Sequence, residues 1–311
     1  RAWKNLVKGI FDKYKEKYNI IVTGSARMNI YRRGGDSLLG RYFYYTLFPF
    51  SLAELNSNKN EFDPFGELNF SDANLSDALD TLYKFGGFPE PLLKQNVRFL
   101  RRWQNEKLER LFREDIRDVE NIRDLSSMKL LGDMLPQKVA SPLSVNALRE
   151  DLEVSHRAVN NWLSILEAFY YHFRIYPFHS KKIRSLKKEP KLYLFDWSEI
   201  ENEGARFENL IAMHLKKFVH FLNEVEGYKA ELNYLKNVDK KEVDFLVSVK
   251  NKPWFAVEVK LTERKPSPNL FYYGERLKIP FCFQVVKTEK IDILRDDVRI
   301  ISADKFLSGL V

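Results

Sequence analysis

The sequence has very little cysteine. Cys282 is the single cysteine among 311 residues, so no disulfide can form within the chain, and a reducing compartment is expected. No stretch has the pattern of a signal peptide, and no apolar run reaches the length of about 18 residues that a membrane-spanning helix needs. Internal repeats and low-complexity tracts are also lacking. We therefore expect a cytoplasmic protein without a membrane partner.

The sequence also lacks a Gly-x-x-x-x-Gly-Lys-Ser/Thr motif, the loop that holds phosphates in most NTPases. The acidic pair that binds Mg²⁺ in those enzymes would lie upstream of Arg1 and is not in this sequence. This chain is therefore not expected to hydrolyse ATP by itself. Because it starts directly on a helical pattern, we expect a further segment upstream of Arg1.

What is present is enough apolar material for two or three packed domains. Hydrophobic residues make up 44% of the chain. The net charge is +8, from 51 basic and 43 acidic residues. Such an excess is consistent with a polyanionic partner such as nucleic acid, and equally with an ordinary solvated surface.

Two apolar strands joined by a turn at residues 251–253 form the most informative stretch. Asp244 interrupts the first strand, and Glu258 and Lys260 interrupt the second. Residues two apart in a strand leave the same face. An Asp followed on the next strand by Glu-x-Lys is the spacing of metal-dependent nucleases. In these, carboxylates hold Mg²⁺, the ion activates water, and a lysine stabilises the developing negative charge.

The alternative is that these charges lie on the open face of an edge hairpin and have no chemical role. The surrounding runs, Val-Asp-Phe-Leu-Val and Ala-Val-Glu-Val, favour a site, because an isolated carboxylate in apolar surroundings is costly unless something pairs with it. The first helix of the same region carries Glu208, which we predict as a further metal ligand, with a plain surface glutamate as the alternative. Gln284 lies on a later strand, where nuclease folds often place a polar residue.

Residues 125–196 have the pattern of a winged helix, with helices at 125–139, 144–152 and 155–168 and wing strands at 170–176 and 192–195. The third helix would present His156, Arg157 and Asn160 to nucleic acid. Such domains also serve as protein-docking modules, so a protein partner stays open. The basic wing tip predicted to contact phosphates consists of Lys181, Lys182, Arg184, Lys187 and Lys188.

The N-terminal part predicts an apolar strand in residues 19–27, an aromatic strand after Gly40-Arg41, and a helix capped by Ser51 and Glu54. A helix from Leu75 should end at the paired glycines 86–87, and a long charged helix should span residues 92–124.

Four segments resemble, in order, a family of bacterial and archaeal AAA-type ATPases with a C-terminal domain of unknown function. They are Ile-Val-Thr-Gly-Ser-Ala-Arg, Ser-Leu-Leu-Gly-Arg, Leu-Phe-Pro-Phe-Ser-Leu-Ala-Glu-Leu and Gly-Gly-Phe-Pro-Glu. The resemblance extends to the Glu-Val-Asp-Phe and Glu-Val-Lys motifs and spans nearly the whole chain. It implies that Thr23, Gly24 and Ser25 lie beside the γ-phosphate and that Arg41 senses nucleotide.

The predicted architecture is α/β and multidomain. It comprises the end of an AAA-type core (1–55), a helical lid or linker (56–124), a winged helix (125–200) and a restriction-endonuclease-like domain (201–311). The leading function is nucleic-acid-associated work by an ATPase with a Mg²⁺-dependent nuclease-like domain. The alternative is an inactive DNA- or protein-binding module under nucleotide control. ATP would bind only with the upstream part, and DNA is the expected partner. The resemblance leaves open whether this chain forms the ring-like homo-oligomer usual for AAA-type proteins or stays unassembled.

Overall fold

A computed structural model describes residues 2–24, 40–57, 60–116, 124–179, 189–262 and 265–311. In these ranges the α-helices are α1 (Ala2–Tyr14), α2 (Leu52–Leu55), α3 (Ser76–Phe85), α4 (Pro89–Lys94), α5 (Val97–Arg110), α6 (Leu125–Met134), α7 (Val145–Asp151), α8 (His156–Ala168), α9 (Glu203–Glu224), α10 (Pro268–Leu277) and α11 (Ala303–Ser308). One π-helical turn, Leu111–Ile116, continues α5.

The strands of the described residues all belong to one mixed sheet. They are β1 (His172–Pro177), β2 (Lys191–Leu194), β3 (Ala230–Lys236), β4 (Glu242–Val249), β5 (Lys252–Lys260), β6 (Phe281–Val286), β7 (Asp292–Arg295) and β8 (Val298–Ser302). Their order is β2-β1-β3-β4-β5-β6-β8-β7. The pairs β1/β3, β5/β6 and β6/β8 are parallel and the others antiparallel. The fold is therefore α/β, and the hairpin β1–β2 shares its sheet with the C-terminal strands.

The long helix α9 covers one face of this sheet. It begins where the side chain of Asn202 accepts a hydrogen bond from the backbone N–H of Ala205. Leu210, Leu215 and Phe218 are completely buried against the strands. On the opposite face, α10 packs its buried Leu270 against the β4–β5 region. Two covered faces explain why β4 and β5 are apolar along nearly their whole length.

Helices α6, α7 and α8 are followed by the hairpin β1–β2, which are the elements that a winged helix requires. Ser144 and Ser155 begin α7 and α8 by accepting hydrogen bonds from backbone N–H groups three residues on. Val159 and Leu163 are fully buried, as the apolar period of α8 predicted. The winged-helix assignment, like the restriction-endonuclease-like assignment of the last domain, stays a prediction.

Two local predictions in the N-terminal half are confirmed. Ser51 and Glu54 form the reciprocal capping box of α2. Helix α3 ends at Phe85, followed by Gly86 at a φ of 78°. Gly87 is also required, because a Cβ there would lie 2.7 Å from the carbonyl oxygen of Phe50.

Three other predictions differ from the structure. Among described residues 18–24 and 42–50, no strand forms. A strand needs a ladder of backbone hydrogen bonds to a neighbouring strand, and the strands of the described residues all lie in the sheet of β1–β8. The helix expected over 92–124 is broken at Gln95, which has a φ of 46°, before Asn96 caps α5. The hairpin β7–β8 was not predicted.

Candidate functional site

Asp244 and Glu258 lie side by side on adjacent strands. The register of β4 against β5 brings them together, and Glu258 and Lys260 leave the same face of β5 because they are two residues apart. The backbone N–H of Val259 donates to Asp244 Oδ2 at 3.0 Å. The predicted hairpin thus brings its three charged groups to one surface of the sheet.

Of these three groups, the side chain of Glu258 is buried and that of Lys260 is partly exposed to solvent. Lys260 Nζ lies 2.9 Å from Glu258 Oε1, and the side chains are 43% and 6% exposed. The second carboxylate oxygen of Glu258, Oε2, is buried and has no hydrogen-bond partner. A buried oxygen without a partner is costly, which makes Oε2 the atom at which an additional positive group would be most favourable.

A third carboxylate, Glu208, reaches the cluster from helix α9, and Lys191 and Tyr193 reach it from strand β2. Tyr193 donates its hydroxyl hydrogen to Glu208 Oε1 at 2.7 Å. Lys191 Nζ donates to the same oxygen at 3.4 Å and to Asp244 Oδ1 at 3.2 Å. The helix, the hairpin and the β1–β2 hairpin therefore meet at one group of charges.

Glu242 adds a fourth carboxylate to the cluster. Its Oε1 lies 2.7 Å from Lys191 Nζ, and its Oε2 lies 2.7 Å from Lys236 Nζ. Lys191 thus faces three carboxylates while its side chain is only 2% exposed. An ammonium has three N–H donors, so these contacts saturate it.

Burial and mutual repulsion perturb the ionisation of this cluster. Burial, followed by the charge of Asp244, raises the pKa of Glu208 to about 8. The same two causes raise the pKa of Glu258 to about 7. Burial lowers the pKa of Lys260, but the carboxylate of Glu258 raises it by more, so this lysine is charged at neutral pH. Perturbed carboxyls of this kind are concentrated at functional sites.

Gln284 is buried on β6, directly beside Glu258 in the parallel register. Its Oε1 accepts from the backbone N–H of Ser267 at 2.8 Å, and its Nε2 donates to the carbonyl of Lys265 at 2.9 Å. These contacts fasten the start of helix α10 to the sheet. Gln284 therefore supports the strand that carries Glu258.

The carboxylates suit Mg²⁺, although they do not form a closed set of ligands. In the described ranges, no three His, Cys, Asp or Glu side chains are grouped as ligands of one ion. Mg²⁺, however, keeps several waters and commonly needs only one or two carboxylates. Asp244 and the unpartnered Oε2 of Glu258 offer such a pair. Glu208, predicted as a further ligand, is held by Tyr193 and Lys191, and its metal role stays a prediction.

The predicted nucleotide-sensing residues lie in the N-terminal segments. Thr23 is exposed in a segment without regular secondary structure. Arg41 Nε donates to Asp12 Oδ1 at 3.1 Å, which ties the segment after Gly40 to helix α1. Ser25 lies outside the described residues. The sensing role of all three stays a prediction.

The predicted nucleic-acid face of helix α8 is accessible. His156 and Arg157 are exposed at its first turn, and Asn160 is half-buried. The amide nitrogen of Asn160 lies 2.9 Å from His156 Nδ1 and donates to the His156 carbonyl at 3.0 Å. These contacts fix the orientation of the two side chains relative to each other. The predicted wing-tip residues, Lys181, Lys182, Arg184, Lys187 and Lys188, lie outside the described residues.

Sequence reasoning missed Lys191, Tyr193 and Glu242. A signal was available for Lys191, because it opens the apolar strand Lys-Leu-Tyr-Leu-Phe just as Asp244 interrupts its own. It was overlooked because β2 was treated as the second strand of the wing, apart from the C-terminal domain. The pairing of β1 with β3 is what joins them.

Comparison with known proteins divides the chain into three matched segments. Residues 1–56 match the family described as AAA domain. Residues 76–198 match Domain of unknown function DUF8612, and residues 203–306 match Domain of unknown function DUF4143. The chain is thus similar to an AAA domain over its first 56 residues and to two domains of unknown function over most of the rest. Glu208, Asp244, Glu258 and Lys260 all lie within the third segment, whereas Lys191 lies in the second.

One curated relative is the uncharacterized protein MJ1544 of Methanocaldococcus jannaschii. It is 27% identical over 287 residues, which cover 89% of this chain and 62% of that protein. The chain therefore spans about three fifths of the length of this relative. No solved structure matches the chain at a significant level. Among the described residues, no helix is both long enough and apolar enough to cross a membrane.

Proposed function

We propose that this chain is the C-terminal part of an AAA-type ATPase and that its last domain hydrolyses phosphodiester bonds in nucleic acid with the help of Mg²⁺. The observation that carries the proposal is the position of Glu258. Its buried carboxylate lies beside Asp244, and one of its oxygens has no partner. Its other oxygen pairs with Lys260, whose side chain is partly exposed to solvent. Such hydrolysis requires buried carboxylates to hold the ion, a neighbouring amine, and access to the site from solvent.

Asp244 and Glu258 would hold the ion, and a bound Mg²⁺ would supply a Lewis acid and a water of lowered pKa. Lys260 remains charged at neutral pH, so it serves as an electrostatic partner for phosphate oxygens rather than as a base. Glu258 must lose its proton before it can bind a cation. Because its pKa is raised to about 7, divalent-ion affinity should increase between pH 6 and pH 8.

The ATPase-related segment contacts the helix that carries Glu208, which supports control by nucleotide in the longer protein. The backbone N–H and the hydroxyl of Thr46 donate to Glu224 at 2.7 and 2.9 Å. The N–H of Leu52 donates to His214 Nε2 at 3.1 Å. Burial lowers the pKa of His214 to about 4, so this ring stays neutral and keeps its acceptor. Both contacts lie on α9.

The test is a cleavage assay of the purified chain on single- and double-stranded DNA with Mg²⁺ or Mn²⁺. Asp244→Ala and Lys260→Ala should each abolish cleavage. The matched control is Lys252→Ala, at the opposite end of the same strand, which should retain it. Cleavage that survives Asp244→Ala, or that requires no divalent ion, would contradict the proposal.

A second candidate is a binding module that does not cut. The observation that favours it is Lys191, which already places a positive charge between Glu208 and Asp244. This reading predicts salt-sensitive binding of DNA without cleavage. Arg157→Ala in α8 should then weaken binding about equally for unrelated sequences. A protein partner instead of DNA would be indicated by no DNA binding at physiological salt.

A further inference from the structure

We infer that Lys191 is a resident cation of the candidate site: it competes with a divalent ion for Asp244 and thereby limits how tightly the site binds one. The inference rests on the proposed function, since it concerns the same carboxylates. It adds a residue that lies outside the segment matched to DUF4143 and that comes from strand β2 of the preceding module.

The first argument is the position of the ammonium group. Lys191 Nζ lies 2.7 Å from Glu242 Oε1, 3.2 Å from Asp244 Oδ1 and 3.4 Å from Glu208 Oε1. It also lies 5.7 Å from the centre of the Tyr234 ring. With a side chain only 2% exposed, the lysine cannot exchange these partners for water without moving the strand that carries it.

The second argument is that Asp244 has no oxygen to spare. Its Oδ1 faces Lys191, and its Oδ2 accepts the backbone N–H of Val259. Any cation that binds Asp244 must therefore share an oxygen with one of these groups. A divalent ion that shared Oδ1 would lie close to the ammonium, and two positive charges at such a distance repel each other strongly in a buried site.

The third argument is the balance of charge. Four carboxyls, Glu208, Glu242, Asp244 and Glu258, are offset by the ammonium groups of Lys191, Lys236 and Lys260. The folded cluster thus carries at most one uncompensated negative charge. A divalent ion would reverse the sign of that balance unless Lys191 withdrew. The buried Oε2 of Glu258, which has no hydrogen-bond partner, is the oxygen of the cluster that an added cation could contact without displacing another group.

It follows that removing the charge of Lys191 should strengthen divalent-ion binding, although it removes favourable contacts from the folded protein. A merely structural lysine would have the opposite effect or none, because its loss would loosen the carboxylates. The readout that separates these roles is the affinity for the ion itself, independent of any cleavage.

The experiment measures the Mn²⁺ dissociation constant of the chain at pH 8 by electron paramagnetic resonance of free Mn²⁺. Lys191→Met, which keeps the length of the side chain, should bind Mn²⁺ about tenfold more tightly than the native chain. Lys191→Arg keeps the charge and should bind like the native chain. The matched control is Lys236→Met, which removes an ammonium from Glu242 but not from Asp244, and it should also bind like the native chain.

If Lys191→Met does not fold, Lys191→Gln, which also removes the charge but can still donate a hydrogen bond, takes its place with the same expected gain. Equal affinity of the native chain and these variants would overturn the inference and leave the proposed function standing. Absence of Mn²⁺ binding in every variant would overturn both. Tighter binding that persisted after Asp244→Asn was added would overturn the inference, because Asp244 is where the competition is located.

Discussion

Among the described residues, Lys107 and Lys191 each lie between carboxylates, and the two clusters differ in how completely their polar atoms are paired. Lys107 on α5 lies 2.8 Å from Asp196 Oδ2 and also contacts Glu199. Tyr171 donates to the second oxygen of Glu199 at 3.1 Å. The remaining oxygen of Asp196 accepts the hydroxyl and the N–H of Ser198 at 2.6 and 3.1 Å.

The cluster around Lys191 contains similar residues, but one of its carboxylate oxygens has no hydrogen-bond partner. A tyrosine, Tyr193, again donates to a glutamate, Glu208. Here, however, a further carboxylate, Glu258, lies beside the group with one unpartnered oxygen, and Lys260 leads from it to solvent. The Lys107 cluster joins helix α5 to the turn after β2, whereas the Lys191 cluster leaves one buried carboxylate oxygen without a partner next to a partly exposed lysine.

The comparison teaches that a buried lysine among acids is not in itself a sign of function. What distinguishes a candidate site is charge that the fold itself does not neutralise. Buried charge without a partner is costly, and a bound cation or substrate is one way to offset the cost. The difference between the two clusters can therefore be tested by removing one group from each and asking which loss a divalent ion repairs.

The largest expected effect is the loss of either lysine. Lys107→Met leaves Asp196 and Glu199 without their cation, and breaking a buried pair typically costs ~3–5 kcal/mol. Denaturant unfolding in EDTA should show this loss, and added Mn²⁺ should not restore it. Lys191→Met should lose a comparable amount in EDTA but regain a measurable part of it with Mn²⁺, because its carboxylates can then take the ion.

The control for this comparison is Lys129→Met, which removes a half-exposed ion pair with Glu109 and should change stability by no more than about 1 kcal/mol. Equal restoration of Lys107→Met and Lys191→Met by Mn²⁺ would erase the distinction between the clusters. So would a failure of Mn²⁺ to restore either of them.

A smaller effect is expected from the pH dependence of Glu258. Its pKa is raised to about 7 from the usual 4.5, so the folded state holds its proton more tightly than the unfolded state. The resulting stability is present below pH 4.5 and is lost as the pH rises through 7. Glu258→Gln removes this dependence. In EDTA, the free energy of unfolding of this variant relative to the native chain should therefore increase by ~1–3 kcal/mol as the pH rises from 5 to 8.

Glu203→Gln serves as a control of opposite sign. The hydrogen bond from Lys287 lowers the pKa of Glu203, so this carboxylate contributes stability at high pH that is lost on acidification. Its substitution should cost more at pH 6, above the usual pKa of 4.5, than at pH 3. If Glu258→Gln instead lost stability as the pH rose, the carboxyl would be better paired than its unpartnered oxygen indicates.

Much of the candidate site was predictable from local sequence, because its members interrupt apolar strands. The alternation around Asp244 and Glu258 fixes which face they leave, and the covered strands explain why isolated charges there stand out. Lys191 could not be placed in this way. It is 53 residues from Asp244 in the chain, and only the sheet pairing of a neighbouring module brings the two together.

The fold shows the same limit. Capping signals such as Ser51 with Glu54 are local, and they were confirmed. The apolar segments 19–24 and 42–48 have strand-like composition, yet strands require partners that local composition cannot supply. The hairpin β7–β8 was missed because its turn, Asp296-Asp297, contains no glycine although both residues have φ values near 50–60°.

The smallest expected effect comes from the two tyrosines that donate to a glutamate in each cluster. Tyr171→Phe and Tyr193→Phe should each cost ~0.5–1.5 kcal/mol, the net worth of one hydrogen bond. Their effects on Mn²⁺ affinity should differ. Losing the Tyr193 hydroxyl removes a hydrogen bond that lowers the pKa of Glu208, so Glu208 holds its proton more tightly and is less negative beside Asp244. Affinity should therefore fall by about two- to threefold, whereas Tyr171→Phe should leave it unchanged. An equal change in both variants would mean that the two clusters respond to a dication alike.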